Sequence, residues 1–475
     1  MVFSSAFFLV CFLPVFFTLY YLLPARFKNV FLLFSSIFFY SWGAPKFVFV
    51  IIGTTIADFF LVRKMYYAQK KWQQKIYLTL SLTINLGLLF YFKYANFFIE
   101  NINEVLFNFG FEEIEWVSLL LPIGISFYTF ETVTYVVDVY RRVHAPLKNF
   151  WDYQLYIILF PKLIAGPIIR FHEIADQIND RSKNENYAFR LSGFIRFVMG
   201  LSKKVLLANV MGAYADSVMG SYVSDMSTAN AWLGIIAYTF QIYYDFSGYS
   251  DMAIGLGMML GFVFPENFNN PYTSSSITEF WRRWHITLGS WMRNYLYIPL
   301  GGNQVKKYRM YLNLWIVFLA SGFWHGASWN FIIWGAFHGF FLVMERAFLL
   351  NFFKNFPKAF TVAITFTIVA TGWVFFRIET FESAIEYCAR MFSFDGYSIP
   401  AEQLSKETVL VFVLSSVFAF FTLFSLGQKI QDWLYAKSHS FYNYLALSCV
   451  SLLLFCLCLA SITGEGFNPF IYFRF

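Results

Sequence analysis

Runs of apolar residues long enough to cross a bilayer recur along this chain from Met1 onward, with only short polar gaps between them. Nothing else in the sequence constrains the fold as much, because a stretch of about 20 apolar residues has one common use, a transmembrane helix. Composition agrees. Of the 475 residues, 58% are hydrophobic and only 13% charged, whereas soluble domains carry about 25% charge. The pattern predicts an all-α polytopic membrane protein with about twelve crossings. Length alone would allow several soluble domains, but no linker interrupts the apolar runs, so residues 1–475 read as one integral-membrane domain ending in a helix and tail over 442–475. The opening stretch MVFSSAFFLVCFLPVFF lacks the basic flank and small-residue cleavage site of a secretory signal and reads as the first span.

The net charge of +7 does not point to nucleic acid, since the Lys and Arg residues are scattered through the short loops. Basic loops stay on the cytoplasmic side. Arg63, Lys64, Lys70, Lys71 and Lys75 therefore lie inside, as do Arg141, Arg142 and Lys148. The segment from Ala95 to Trp116, with Glu100, Glu104, Glu112, Glu113 and Glu115, reads as an acidic loop outside. Both termini are then extracytoplasmic, with Lys429 and Lys437 inside before the last span.

Two stretches break the helical pattern. PKLIAGPI (161–168) and NFNNPYTSSSITEF (267–280) hold Gly, Pro and Asn within apolar surroundings. Irregular backbone survives at membrane depth only where protein or water satisfies it, so these stretches read as re-entrant or interfacial segments framing a cavity. The sequence GLGMMLG (255–261) looks like a phosphate loop but lacks the preceding strand and the following Lys-Ser/Thr, which leaves small-residue helix packing. Cys11, Cys388, Cys449, Cys456 and Cys458 show no ligand spacing, and no HExxH is present, so neither a metal nor a disulfide framework is expected.

Ionisable residues inside apolar runs are the candidates for chemistry. In SGFWHGASWNFIIWGAFHG (321–339), His325 sits beside Gly322 and Gly326, small residues that admit another backbone or a substrate. A neutral imidazole there can take a proton from a hydroxyl and return it to a leaving group; the competing role is a structural hydrogen bond between helices. His338 fits a hydrogen bond to a neighbouring carbonyl. In FWRRWHITLGSWMRNYLYIPLGGN (280–303), Arg282, Arg283, His285 and Arg293 alternate with Trp281, Trp284 and Trp291. That segment fits either an interfacial amphipathic helix with snorkelling arginines or a mouth that binds phosphates. Lys306 and Lys307 extend its basic character. Asp245 and Asp251 read as buried partners of Lys or Arg.

Together, the 280–303 and 321–339 segments and PKLIAGPI resemble the membrane-bound O-acyltransferase family, in particular its bacterial branch of alginate and peptidoglycan O-acetylation membrane subunits. The resemblance runs along nearly the whole chain. It implies helices and re-entrant segments around a central pore, His325 as the catalytic histidine and His285 as a second polar position upstream. The family's usual Arg-Asp is Arg293-Asn294 here. The C-terminal GFNPFIYFRF is similar to a motif found on a separate small partner in teichoic-acid D-alanylation, where a tyrosine is proposed to carry the acyl group; the matching residue is Tyr472. The alternative for the tail is an aromatic anchor at the interface.

The resemblance thus implies an O-acyltransferase. It would move an acetyl group from cytoplasmic acetyl-CoA, a substrate and not a resident cofactor, toward an extracytoplasmic polysaccharide. Arg282, Arg283, Arg293, Lys306 and Lys307 would attract the CoA phosphates, and an SGNH or serine-esterase type partner outside would hand the acetyl to the sugar. Two other readings are a flippase for a lipid-linked glycan, which predicts inverted repeats that are not evident, and D-alanyl transfer to teichoic acid. A scaffold role would leave the intramembrane histidines unexplained.

Overall fold

The computed structural model describes residues 1–220, 226–394, 404–436, 438–465 and 469–471. Tyr472 and Lys437 lie outside the described residues. Within them all regular structure is helical, as the apolar runs predict. The chain forms two compact units, one of residues 1–186 with 256–265 and one of residues 187–255 with 266–475.

The first unit contains α1 (Leu13–Leu22), α2 (Ala25–Gly43), α3 (Val48–Tyr67), α4 (Lys71–Leu89), α5 (Ala95–Asn108), α6 (Ile125–Tyr140), α7 (Phe150–Ile158), α8 (Phe160–Leu163) and α9 (Phe171–Asn179). The second contains α10 (Tyr187–Ser202), α11 (Asn209–Met219), α12 (Thr228–Met259), α13 (Ile277–Arg283), α14 (Ile286–Trp291), α15 (Lys307–His325), α16 (Trp329–Met344) and α17 (Leu350–Phe353). It continues through α18 (Lys358–Arg377), α19 (Phe381–Met391), α20 (Lys406–Phe420), α21 (Ser425–Leu434) and α22 (Phe441–Glu465). Among the described residues, five helical stretches are long and apolar enough to cross a membrane: Lys71–Asn108, Trp329–Phe353, Lys358–Arg377, Lys406–Leu423 and Phe441–Gly464. The protein is a multi-pass membrane protein.

One expectation changes. The acidic stretch after Ala95 begins as helix α5, continuous with α4 through a π-helical turn, and only residues beyond Asn108 leave the helix. Phe97, Phe98, Ile102 and Val105 fall at helical spacing, and that periodicity outweighs the two glutamates, Glu100 and Glu104, which α5 carries.

PKLIAGPI does break the helical run. After α7 the backbone leaves the helix at Leu159, makes the single turn α8, and stays irregular from Ile164 to Arg170, with residues 160–169 all buried. Its polar groups are satisfied by protein, as membrane depth requires. Phe160 N–H donates to Ser36 Oγ (3.1 Å), Tyr156 Oη donates to Ile169 O (2.9 Å), and Phe171 N–H donates to Thr134 Oγ1 (3.0 Å). Lys162, on α8, is ion-paired with Glu131 on α6, both fully enclosed. Gly124 precedes α6 at φ +77°, and a Cβ there would lie 2.7 Å from Leu163 O, so the start of α6 fits against α8 only without a side chain.

In the second unit, glycines seven residues apart bring α10 against α12. A Cβ on Gly200 would meet Gly248 O at 2.5 Å, and one on Gly255 would meet Gly193 O at 2.5 Å. The packing role expected of GLGMMLG holds for Gly255, and a Cβ on Gly257 would strike the Phe264 ring at 2.7 Å. Between α10 and α11 the helix takes a π-helical turn, Lys203–Ala208. Its two adjacent lysines reach different acids. Lys203 pairs with Asp251 and Lys204 with Asp245, each at 2.6 Å. Arg196 also binds Asp251 and, through both terminal nitrogens, Glu266 (2.6 and 2.9 Å). Asp245 and Asp251 are therefore buried partners of basic residues, as expected.

Candidate active site

His325 is the last residue of α15, and the chain turns at Gly326 to start α16 at Trp329, three residues later. The turn is tight because both flanking glycines are in contact. A Cβ on Gly322 would sit 2.2 Å from Phe331 O, and one on Gly326 would sit 2.1 Å from the Phe331 ring. Gly322 thus admits the Phe331 backbone and Gly326 the Phe331 ring. Their effect is to lock the α15–α16 hairpin, and with it the direction of His325. The imidazole is buried among Trp324 (4.9 Å between centroids), Trp334 (5.0 Å) and Phe376 (5.5 Å).

His285 arrives from the irregular segment. It sits between α13 and α14 in the left-handed region, φ +45°, ψ +54°, which a residue with a Cβ adopts only at an energetic cost. The neighbouring strap of residues 267–270 holds it there. Ile286 N–H donates to Asn267 O (2.9 Å), Thr287 Oγ1 donates to Asn267 Oδ1 (2.9 Å), and Asn267 Nδ2 donates to Ser250 Oγ on α12 (3.0 Å). Asn269 N–H donates to Arg283 O (2.9 Å). The His285 ring then stands edge-on to Phe246 (4.7 Å) and 6.4 Å from the His325 ring, centroid to centroid. Among the described residues neither His285 ring nitrogen has a hydrogen-bond partner, and the side chain is buried. His285 shares this state with His338, so the open ring nitrogens alone do not single it out; its nearness to His325 does.

His338 is also enclosed, against Trp281 (5.0 Å), Trp334 (5.2 Å) and Phe337 (5.4 Å). The expected hydrogen bond to a carbonyl is not formed; neither ring nitrogen has a partner among the described residues. Its ring fits because Gly372 faces it, where a Cβ would lie 2.8 Å from Nε2. Trp334 separates His338 from His325.

The basic residues divide into two sets. Arg283 is committed locally, to Glu279 (2.6 Å) and Thr273 Oγ1 (3.1 Å). Arg282, Arg293, Lys306 and Lys307 are exposed and have no ion pair among the described residues. Arg293 lies on the π-helical turn Met292–Tyr297, and Lys306 and Lys307 open α15. Two lysines at the positive end of a helix macrodipole gain nothing from it. Sequence reasoning missed Asn267; its signal was an asparagine run, NFNN, in an apolar setting.

Two imidazoles thus lie 6.4 Å apart, centroid to centroid, in an enclosed part of a membrane protein, and an imidazole so placed can take up and release a proton away from bulk water. The chain belongs to the membrane-bound O-acyltransferase family, whose pattern matches residues 38–380, and it is an O-acyltransferase. It is 40% identical to the probable alginate O-acetylase AlgI of Azotobacter vinelandii over the full length of both chains. It is 38% identical to the peptidoglycan O-acetyltransferase of Helicobacter pylori, covering 86% of this chain and 82% of that one. A teichoic acid D-alanyltransferase of Streptococcus thermophilus is 30% identical over 49% of this chain and 58% of its own.

Proposed function

We propose that this protein carries an acetyl group from acetyl-CoA, on the cytoplasmic side of a bacterial inner membrane, to an acceptor outside, for O-acetylation of an extracytoplasmic polysaccharide. The observation that carries this reading is the enclosed His285–His325 pair at the end of the α15–α16 hairpin. The full-length likeness to proteins named for alginate and peptidoglycan O-acetylation favours acetyl and a polysaccharide. Only the acyl group passes inward, because CoA is too large and too charged to cross. About twelve crossings, arranged as one domain around a pore, would enclose the path, with both termini outside.

In this reading the Tyr472 phenol oxygen attacks the thioester carbonyl. Its C–O bond forms as the C–S bond breaks, and His325 takes the phenolic proton and returns it to the departing CoA thiolate. The acetyl-tyrosine then passes its acetyl to an SGNH or serine-esterase type partner, and that partner to the sugar. His285 positions or polarises the carbonyl; Arg282, Arg293, Lys306 and Lys307 attract the CoA phosphates. The same geometry would serve D-alanyl transfer, but the relatives of that name cover only about half of this chain. The test is intact-protein mass spectrometry after incubation with acetyl-CoA. An acetyl adduct should appear on the C-terminal peptide of wild type and be absent in Tyr472→Phe and in His325→Ala. Full glycan acetylation by Tyr472→Phe would remove the relay and leave His325 serving an acceptor on the partner directly.

A further inference from the structure

Residues 469–471, near the end of the chain, are held by the second unit through main-chain contacts. Ile471 N–H donates to Asp245 Oδ2 at 2.7 Å, and Lys204 Nζ donates to Pro469 O at 3.3 Å. Asp245 and Lys204 are themselves a buried ion pair at 2.6 Å, with side chains 1% and 5% exposed. Between these two anchors the Phe470 side chain is buried against Tyr249 (4.8 Å) and Phe246 (6.1 Å). Phe246 is the ring that His285 packs on.

We infer that the Lys204–Asp245 pair is a socket for the C-terminal tail, which fixes the register of Pro469 to Ile471 and by doing so serves the acetyl relay through Tyr472. The inference rests on the acetyl-relay reading. Its physical basis is the choice of groups. A buried ion pair adds little net stability over apolar residues of the same size, so its retention asks for another use. Here the cation supplies a donor and the anion an acceptor, two residues apart on the bound segment, the spacing of Pro469 O and Ile471 N–H. Such pairing reads backbone, so it sets register along the tail where aromatic contacts alone would allow sliding. Adjacent residues on a helix point to different faces, so Lys204 reaches Asp245 while Lys203 goes to Asp251. Both are positioning residues and touch no reacting atom.

The test uses full-length protein in nanodiscs and two variants that reach the same contact from opposite sides. Lys204→Met with Asp245→Leu removes the socket and leaves no unpaired buried charge; Ile471→Pro removes the tail's N–H donor, and Ile471→Val, which keeps that donor, controls for the change of the buried side chain. Radiolabelled acetyl-CoA reports acetylation of the C-terminal peptide, carboxypeptidase digestion with intact mass reports whether the tail is held, and a melting curve reports the fold. In wild type and in the Ile471→Val control, digestion should stop at position 471 or before reaching it. In both variants it should pass Phe470, kcat for tail acetylation should fall at least tenfold, and KM for acetyl-CoA and the melting temperature should be unchanged. Combining the two should be no worse than either alone. A protected tail with wild-type kcat in both variants, while Tyr472→Phe is inactive, would overturn the socket and leave the relay standing. Full glycan acetylation by Tyr472→Phe would instead remove the relay, and the socket's role in it, whatever the digestion shows.

Discussion

His325→Ala should reduce acetyl transfer by about 10² to 10⁴, the usual contribution of a positioned acid–base group. At 1.36 kcal/mol per tenfold that is about 2.7 to 5.4 kcal/mol of barrier. The same change also empties space among Trp324, Trp334 and Phe376, and deleting a buried ring costs about 3 to 5 kcal/mol of stability. The two effects are of similar size, so alanine alone cannot separate them. Two further variants do. His325→Phe refills the slot with a ring of related size that cannot accept a proton; its melting temperature should stay near wild type while its rate falls as far as that of alanine. His338→Ala removes an equally enclosed imidazole from the other face of Trp334; it should lower the melting temperature while protein that remains folded keeps its rate. The assay is radiolabelled acetyl transfer per mole of folded protein in nanodiscs. If His325→Phe kept more than a tenth of the wild-type rate, the acid–base role of His325 would be wrong, and if His338→Ala lost rate without losing stability, the proton path would run through His338.

Gly322→Ala places a methyl 2.2 Å from Phe331 O; it should cost about 1 to 3 kcal/mol and also lower kcat, read by thermal denaturation and transfer assay, because the hairpin that aims His325 must open. Lys162→Met should destabilise by about 3 to 5 kcal/mol by stranding Glu131, and adding Glu131→Gln should recover most of that, as melting curves of the single and double variants would show; equal losses in both would mean the pair is not the contact that secures the 160–169 segment. Lys306→Gln with Lys307→Gln should raise the KM for acetyl-CoA several-fold and flatten its dependence on ionic strength with kcat unchanged, and a KM that does not move would place the donor elsewhere.

Some spans were legible because hydropathy is local: the apolar runs at 359–377 and 442–462 are the helices α18 and α22 to within three residues, whereas the run at 408–427 outlasts α20, which ends at Phe420. His325 was legible for the same reason, a single ionisable residue between glycines in an apolar run. Helix α5 was misread because loop charge was used as a boundary, whereas a helix leaving the hydrocarbon need not end there; its apolar face continues past Glu100 and Glu104. The partners of Asp245 and Asp251 could be assigned to the class of basic residues but not to Lys204 and Lys203, since these neighbours point to different helix faces and residue spacing does not say which face meets which acid. Asn267 was not legible as part of the site, because its partners Ser250 and Thr287 lie 17 and 20 residues away in sequence.

The left-handed backbone at His285 explains why the site combines a rigid hairpin with an irregular strap. A straight helix satisfies its own peptide groups and offers side chains at fixed angles, which suits His325 at the end of α15. The second imidazole, 6.4 Å away, comes from the break between α13 and α14, and the left-handed residue of that break is His285 itself. That conformation costs on the order of 1 to 3 kcal/mol for a non-glycine residue, more than the single Asn267 O bond to Ile286 N–H offsets at about 1 kcal/mol. The side chain of Asn267 adds the bond to Thr287 Oγ1 and ties the strap to α12 through Ser250, so the three bonds together reach the size of the strain. A glycine at 285 would relieve the backbone but remove the imidazole. Strain and a ring with no hydrogen-bond partner among the described residues thus coincide at His285, the combination that the polarising role proposed for this imidazole calls for.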